Sequence, residues 1–450
     1  MLKNPTQNKK FAILFLFLFS SLGGILYGYD LGIISGALLS LTKEIPMSAT
    51  QMSFIVGALL GGGALATLIA GPLADAWGRK YTIICSVFIF IIGVFLLLIS
   101  HNFTLLFISR LIQGIGINIL IIVCPLYISE TIKPEYRGRN MTLFQLSLTF
   151  GILLAYIIGL CFVKTDAWRS MFATVLIPAI TIIILAIFAP ESPRWLQLKE
   201  RGQDAYKALL FSRTENEAQN ELKEIKESMV NQPAALWHEL FSPKILTPFS
   251  IALVIAICNQ LVGINSILQF APTILKDAGL NSNFVAMLGS VSIGLVNFIV
   301  TILALFLIDK LGRKLILSIG VSGVLISLVY LSLAEHFFPP QVASTGYFLL
   351  AGLISFIAFF AIGPGVVVWL AMSELFPTRV RAKGLSLCMF SNSMASAILA
   401  SVFLKLQELV GFSGVFYICA FFALVYLIVA LFFLPETKGK SLEEIEKLFS

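Results

Sequence analysis

Charge is what this chain is shortest of. Asp, Glu, Lys and Arg make up 12% of its 450 residues, about half the roughly 25% of an ordinary soluble protein. A fold of this size with so few charges cannot keep a water-facing surface. That excludes a cytosolic enzyme, a nucleic-acid-binding module and a disordered chain. There are three histidines, none in mid-membrane sequence, so a histidine-based proton relay is excluded. No GxxxxGK[ST] run is present, which excludes a drive by ATP through a phosphate-cradling loop. The six cysteines (Cys85, Cys124, Cys161, Cys258, Cys388, Cys419) lie in apolar stretches, without CxxC spacing or a nearby histidine. They read as small buried hydrophobes, not as metal or redox ligands. With no nucleophile–base arrangement and no cofactor motif, neither an enzyme nor a bound cofactor is expected.

What the chain has is apolar length. Hydrophobic residues make up 58% of it, and its mean hydropathy is +0.94. A bilayer core takes about 20 apolar residues per helix. By that measure twelve spans are expected, at roughly 11–39, 51–73, 81–100, 104–127, 141–163, 170–189, 248–275, 284–308, 315–334, 345–373, 384–404 and 412–434. The first starts like a signal peptide, with Lys9 and Lys10 before the apolar run. No A-x-A-like site follows, so it reads as an uncleaved helix. Of the 31 Lys and Arg residues, 25 fall on the side that holds both termini, five fall on the other, and Arg110 alone lies inside a span. Basic loops stay inside, so both termini are expected to be cytoplasmic. The net charge of +7 then reflects topology and not an anionic ligand.

The chain repeats itself. Asp75-Ala-Trp-Gly-Arg79-Lys80 recurs as Asp309-Lys-Leu-Gly-Arg313-Lys314, 234 residues on. Glu130 with Arg137 recurs as Glu374 with Arg381 at an offset of 244, and Pro190-Glu191 as Pro435-Glu436 at 245. Motifs that keep both order and offset point to two related six-helix halves, 1–189 and 248–434. Segment 190–247 joins them and carries a charged helical stretch at Glu217–Met229. Residues 435–450 form a cytoplasmic C-terminal helix, with Ser441 and Glu444 at capping-box spacing. The expected class is an all-α membrane protein. Two related halves with a site between them describe a transporter of alternating access.

Five segments carry a family resemblance: Asp75 to Lys80, Pro190-Glu-Ser-Pro-Arg-Trp-Leu196, Gln260-Leu-Val-Gly-Ile-Asn265, Gly363-Pro-Gly365 with Trp369, and Pro435-Glu-Thr-Lys-Gly439. Together they resemble the sugar porter family of the major facilitator superfamily, over the whole chain. The resemblance implies the twelve-helix fold, a sugar or polyol substrate and no cofactor. The lack of a long first external loop is more like a bacterial porter than an animal one. A bacterial plasma membrane, and function as a monomer in the lipid bilayer, are therefore expected.

Charges deep inside a span are costly and default to function. Asp30 lies about 15 Å, and Arg110 about 10 Å, from the outer ends of their spans at 1.5 Å per residue. Those depths allow them to pair in one aqueous cavity. A carboxylate beside a fixed guanidinium is held ionised, and protonating it releases the pair. The same geometry also suits a structural ion pair that moves no proton. By resemblance, proton-coupled members carry Asp and Arg at these two places, whereas uniporters commonly have Asn for the Asp.

A sugar hydroxyl both donates and accepts, which neutral amides match, and an aromatic ring covers its apolar face. Gln145 and Tyr156 lie eleven residues apart and share a helix face. Asn297 and Thr301 are i,i+4. Asn259, Gln260 and Asn265 bracket Gly263, where the helix is expected to unwind. Trp369 follows the breaker Gly363-Pro364-Gly365, and Asn392 lies in span eleven. The resemblance puts Gln145, Gln260, Asn265, Asn297, Trp369 and Asn392 on sugar-contacting positions; any one amide could instead bond between helices. The sequence departs from the family at Asn259, at Gln269-Phe270 and at Ser393. Counting Asn259 and Gln269 as substrate groups gives a more polar pocket, suited to a polyol or cyclitol.

Asp75, Arg79, Glu130, Arg137, Asp309, Arg313, Glu374 and Arg381 lie at cytoplasmic ends of spans. They suit ion pairs that latch the halves when the site faces outward, or plain topological anchors. Asp75 and Asp309 are placed to cap neighbouring helix N-termini. A uniporter of the same fold and a transporter-like nutrient sensor are the rival readings. Tails of about 10 and 16 residues argue against the sensor, because sensors carry long signalling tails.

Overall fold

The computed structural model describes residues 5–230, 237–338, 343–377 and 379–438. The C-terminal capping box expected at Ser441 and Glu444 lies outside them. The described residues are almost wholly helical. The first half comprises α1 (Pro5–Glu44), α2 (Ala49–Trp77), α3 (Arg79–Leu98), α4 (Phe103–Thr131), α5 (Pro134–Phe162), and the pair α6 (Trp168–Ala173) and α7 (Leu176–Phe188). Then come α8 (Pro193–Leu198), α9 (Gly202–Leu210), α10 (Glu215–Val230) and a 3₁₀ turn at Trp237–Phe241. The second half is built from α11 (Pro243–Leu261), α12 (Ile264–Asp277), α13 (Asn283–Leu311), α14 (Arg313–Phe337), α15 (Ala343–Ile362), α16 (Pro364–Leu375) and α17 (Arg381–Ile428).

Among the described residues, eleven helices are long and apolar enough to cross a membrane. The last of these, Arg381–Phe433, runs for 53 residues, too long for one crossing. It breaks at Gly411, whose φ of 72° and ψ of 168° are not helical. Split there, it makes two crossings, so the twelve-span expectation holds. Most of the helices start ahead of their apolar windows and several also run past their ends, where caps and not hydropathy set the limit. Ser48 opens α2 with a reciprocal capping box to Gln51. Asn102 opens α4 by accepting from Leu105 N at 2.9 Å.

Within the first half α1 packs on α5, and α4 on α2 and α3; within the second, α17 packs on α11 and α14, and α14 on α15. The approach of α1 to α5 depends on Gly28, where a Cβ would lie 1.9 Å from the Leu148 carbonyl oxygen. Between the halves, α2 meets the first part of α17, and α5 meets α13. These are spans two with eleven and five with eight. Two-fold related halves require that exchange of partners.

Helices α8 to α10 lie at one end of the bundle, here called the linker face. Arg213 is buried there and donates to the carbonyls of Thr131 and Ile132 at the end of α4. It also pairs with Glu221 at 2.7 Å and donates to Ser212 Oγ at 2.8 Å. Lys133 reaches Glu217 at 2.8 Å, and this ammonium holds the Glu217 carboxyl down at about 2. The 3₁₀ turn, by contrast, sits on the second half: Glu239 pairs with Arg379 at 2.9 Å, and the ring of Phe241 is 6.0 Å from that of Phe249.

Candidate functional site: a central cavity between the halves

Two helix breaks shape the middle of the second half. At Gly263, φ is +90°, a left-handed value that favours glycine, and it separates α11 from α12. At Gly363-Pro364 the chain breaks again between α15 and α16. The sequence anticipated both. Beside them lies a cavity of about 480 Å³, in the range of small-molecule sites. Gln145, Asn259, Gln260, Asn265, Asn297, Trp369 and Asn392 all line it.

The amides are already tied together. Gln260 Nε2 donates to Asn392 Oδ1 at 3.1 Å, and Asn265 Nδ2 donates to Gln260 Oε1 and to Ser396 Oγ, both at 2.9 Å. Asn392 Nδ2 is held by the Ala256 carbonyl at 2.8 Å. Such a network fixes which amide atoms face the cavity, so little side-chain ordering remains for a ligand to impose. From the first half, Gln145 Nε2 reaches the Gly365 carbonyl at 3.5 Å.

Tyr156 and Gln269, expected among these groups, are not on the cavity wall. Tyr156 shares a face of α5 with Gln145 but stands three turns away, about 16 Å along the axis. That carries it past the cavity, where its hydroxyl donates to the Leu268 carbonyl at 2.8 Å. Gln269 is 1% exposed, and its Nε2 turns back to the Asn265 carbonyl at 3.2 Å. Asn118, Thr67, Tyr27 and Thr149 do line the cavity and were missed. Asn118 had a readable signal, as an amide in mid-span like the ones selected. Gly63 makes room for it: a Cβ there would meet Asn118 Nδ2 at 2.3 Å.

The cavity wall runs from mid-bundle towards the linker face, through Met141, Pro125, Trp369 and Met389. On the far side the halves are closed on each other. Tyr156 bonds Leu268 there, Leu404 N donates to Ser53 Oγ at 3.0 Å, and Lys164 lies 4.4 Å from the Phe284 ring centroid.

Asp30 and Arg110 meet at 3.0 Å, and both are 0% exposed. The pair forms, but not inside the cavity: Tyr27 and Leu31 line the wall and Asp30 does not. The guanidinium also donates to Gln113 Oε1 at 2.7 Å and stacks 5.5 Å from the centre of Phe172.

At the linker face the motif residues pair within each half. Arg79 Nη2 donates to Glu130 Oε1 at 3.1 Å, and Ser192 Oγ donates to Glu130 Oε2. The repeat holds in the second half: Arg313 pairs with Glu374 at 3.4 Å, and Thr437 Oγ1 donates to the same carboxylate. Arg381 donates to the Phe376 carbonyl at the end of α16. The side chains of Arg137 and Asp309 lie outside the described ones. Among the described residues, no ion pair of these motif residues joins the two halves in this arrangement.

Asp75 does not cap α3. It is 71% exposed and meets Arg79 four residues on. Glu191 caps that helix instead, its Oε1 accepting from Arg79 N at 3.0 Å and Lys80 N at 3.1 Å. Glu436 does the same for α14, taking Arg313 N at 3.0 Å and Lys314 N at 3.1 Å. The reason is geometric. The turn at Gly78 (φ +94°) and Gly312 (φ +87°) opens the next helix's N–H groups towards a carboxylate from elsewhere in the chain. Asp75, which precedes the first of these turns, is left pointing away.

The family model for sugar (and other) transporters matches residues 16–449. The chain belongs to the sugar porter family of the major facilitator superfamily. As a sugar porter it is a transporter and not an enzyme. It is 36% identical over 432 residues to a glucose transporter of Staphylococcus epidermidis, spanning 96% of each chain. It is 32% identical over 454 residues to the galactose-proton symporter of Escherichia coli, covering 99% of this chain and 96% of that one. The fold matches the E. coli xylose transporter XylE in a partially occluded inward-open conformation, with a TM-score of 0.82 at 26% identity, over 95% of this porter and 99% of XylE.

Proposed function

We propose that this sugar porter imports a neutral monosaccharide, polyol or cyclitol together with a proton, and that Asp30 and Arg110 form the coupling pair. One observation carries the reading: a single carboxylate, fully buried, held by a single buried guanidinium at 3.0 Å. A buried ion pair is weak evidence for stability, because desolvation opposes it, and its position beside the substrate cavity argues for use. Protonating Asp30 leaves a neutral acid beside Arg110, loosens α1 from α4 and frees the first half to rock. Relatives named as proton symporters support the same reading.

The substrate contacts are Gln145, Asn259, Gln260, Asn265, Asn297, Trp369 and Asn392. Tyr156 and Gln269 act instead at the far closure, where Gln269 can face ligand once the halves part. Arg79, Glu130, Arg313 and Glu374, with Arg137, Arg381, Asp75 and Asp309, form the gate at the linker face. The excess of basic residues there makes that face cytoplasmic, so the cavity faces inward and both termini lie on the cytoplasmic side of a bacterial plasma membrane.

Uptake of a labelled sugar and cyclitol panel into proteoliposomes, with and without an imposed pH gradient, tests this. Gradient-driven accumulation is expected, and Asp30→Asn should abolish it while sugar exchange persists. Normal uphill uptake by that variant would make the pair structural and the protein a uniporter.

A further inference from the structure

Arg110 is shared between two acceptors. Its Nη1 donates to Asp30 Oδ1 at 3.0 Å and also to Gln113 Oε1 at 2.7 Å. Gln113 lies one turn along α4 from Arg110 and is itself 0% exposed. Space for it comes from α3, where Gly93 stands against its stem: a Cβ at Gly93 would lie 2.8 Å from Gln113 Cγ. An amide oxygen facing a buried guanidinium is a neutral acceptor in a region of low dielectric, where each such bond matters more than in water.

The consequence concerns the proton. When Asp30 is ionised, Arg110 has a carboxylate partner. When Asp30 takes a proton, Arg110 keeps its charge and loses that partner's charge, leaving a buried cation. Gln113 Oε1 is the acceptor that does not change with the proton. The other groups around Asp30 do not compete for this part. On its own helix the titratable neighbours are the phenols of Tyr27 and Tyr29. From α4 only Arg110 faces it. The charged residues of α5, α6 and α12 sit at helix ends, and α7 has none.

We propose that Gln113 is a positioning residue for proton coupling. By holding Arg110 in both states of Asp30, it lowers the cost of protonating that carboxylate and sets the pH at which uptake switches on. This rests on the symport reading above.

The test is the pH dependence of gradient-driven uptake in proteoliposomes for wild type, Gln113→Leu and Gln113→Glu, with sugar exchange measured alongside. In Gln113→Leu, Arg110 depends on Asp30 alone and protonation becomes harder. The half-maximal pH should fall by about one unit, since a hydrogen bond to a charged group is worth about as much as one unit of pKa or slightly more. In Gln113→Glu a second carboxylate competes for Arg110, and the half-maximal pH should rise. Exchange should persist in both variants. Opposite shifts are the signature that a mere packing role cannot produce. Unshifted profiles, or shifts of the same sign in both, overturn the proposal. So does loss of exchange in both, which assigns Gln113 to packing. Asp30→Asn run in parallel keeps the two questions apart: if it still accumulates sugar, the symport reading fails, whatever Gln113 does.

Discussion

Glu191 and Glu436 hold equivalent places in the two halves, yet they bind differently. Glu191 uses one oxygen: Oε1 takes Arg79 N, Lys80 N and Ser192 N, and Oε2 has no partner. Glu436 uses both, with Oε1 on Arg313 N and Oε2 on Lys314 N. Burial pushes the Glu191 carboxyl above its ordinary range. Burial also pulls Glu436 upward, but four backbone N–H donors outweigh it and hold the group below that range. A glutamine can replace the one working oxygen at 191, but at 436 its NH₂ would face the Lys314 N–H. Glu191→Gln should therefore be near neutral, and Glu436→Gln should cost about 1–3 kcal/mol, read as a lower melting temperature in detergent. The pH sign follows. A lowered carboxyl contributes stability above its unfolded value that is lost as pH falls through the folded one. The gap between wild type and Glu436→Gln should thus close below about pH 4. At Glu191 the raised value works the other way, favouring the protonated acid and fading as pH rises. The motif glutamates were legible in the sequence as repeats. Their role as caps was not, because a cap supplied from over a hundred residues away leaves no local spacing to read.

At the scale of elements, two left-handed glycines break helices for different ends. Gly263 turns α11 into α12 and so sets Gln260 and Asn265 five residues apart within bonding reach at 2.9 Å. A Cβ there would also meet Cys419 Sγ at 3.0 Å. Gly411 ends one crossing and starts the next, and a Cβ there would meet nothing within 4 Å. Alanine at either site strains the backbone by about 1–3 kcal/mol. Only at Gly263 does the strain reach the amide network. Gly263→Ala should lower kcat/KM for sugar uptake several-fold, whereas Gly411→Ala should lower thermal stability and leave KM alone. Equal effects on KM would refute the distinction. The breaks themselves were visible from Gly and Pro inside apolar runs. The position of Tyr156 was not, because periodicity gives the face of a helix but not where a cavity stops along it.

For the whole molecule, the twelve crossings and the two halves were written in hydropathy and in three motifs kept at nearly constant offset. Which way the cavity opens was not, since both arrangements use the same residues in different pairings. On the far side the halves touch through a few polar bonds, among them Tyr156 to Leu268. Tyr156→Phe removes that bond at a cost of about 1 kcal/mol, or roughly a fivefold change in the balance of states. Spin labels on the far ends of α2 and the first part of α17 should report a larger population at long distance. An unchanged distribution would mean that apolar packing alone holds that side shut.

The split anchorage at the linker face bears on how far this machine can swing. One end of the connecting strap is pinned to the first half through Arg213 and Lys133. Its other end is pinned to the second half through Glu239. Between Val230 and Trp237 lie seven peptide steps, which stretch to at most about 25 Å. The covalent chain is thus a leash with a fixed reach, and it limits the widest mouth the porter can open at the linker face without tearing one of those moorings loose.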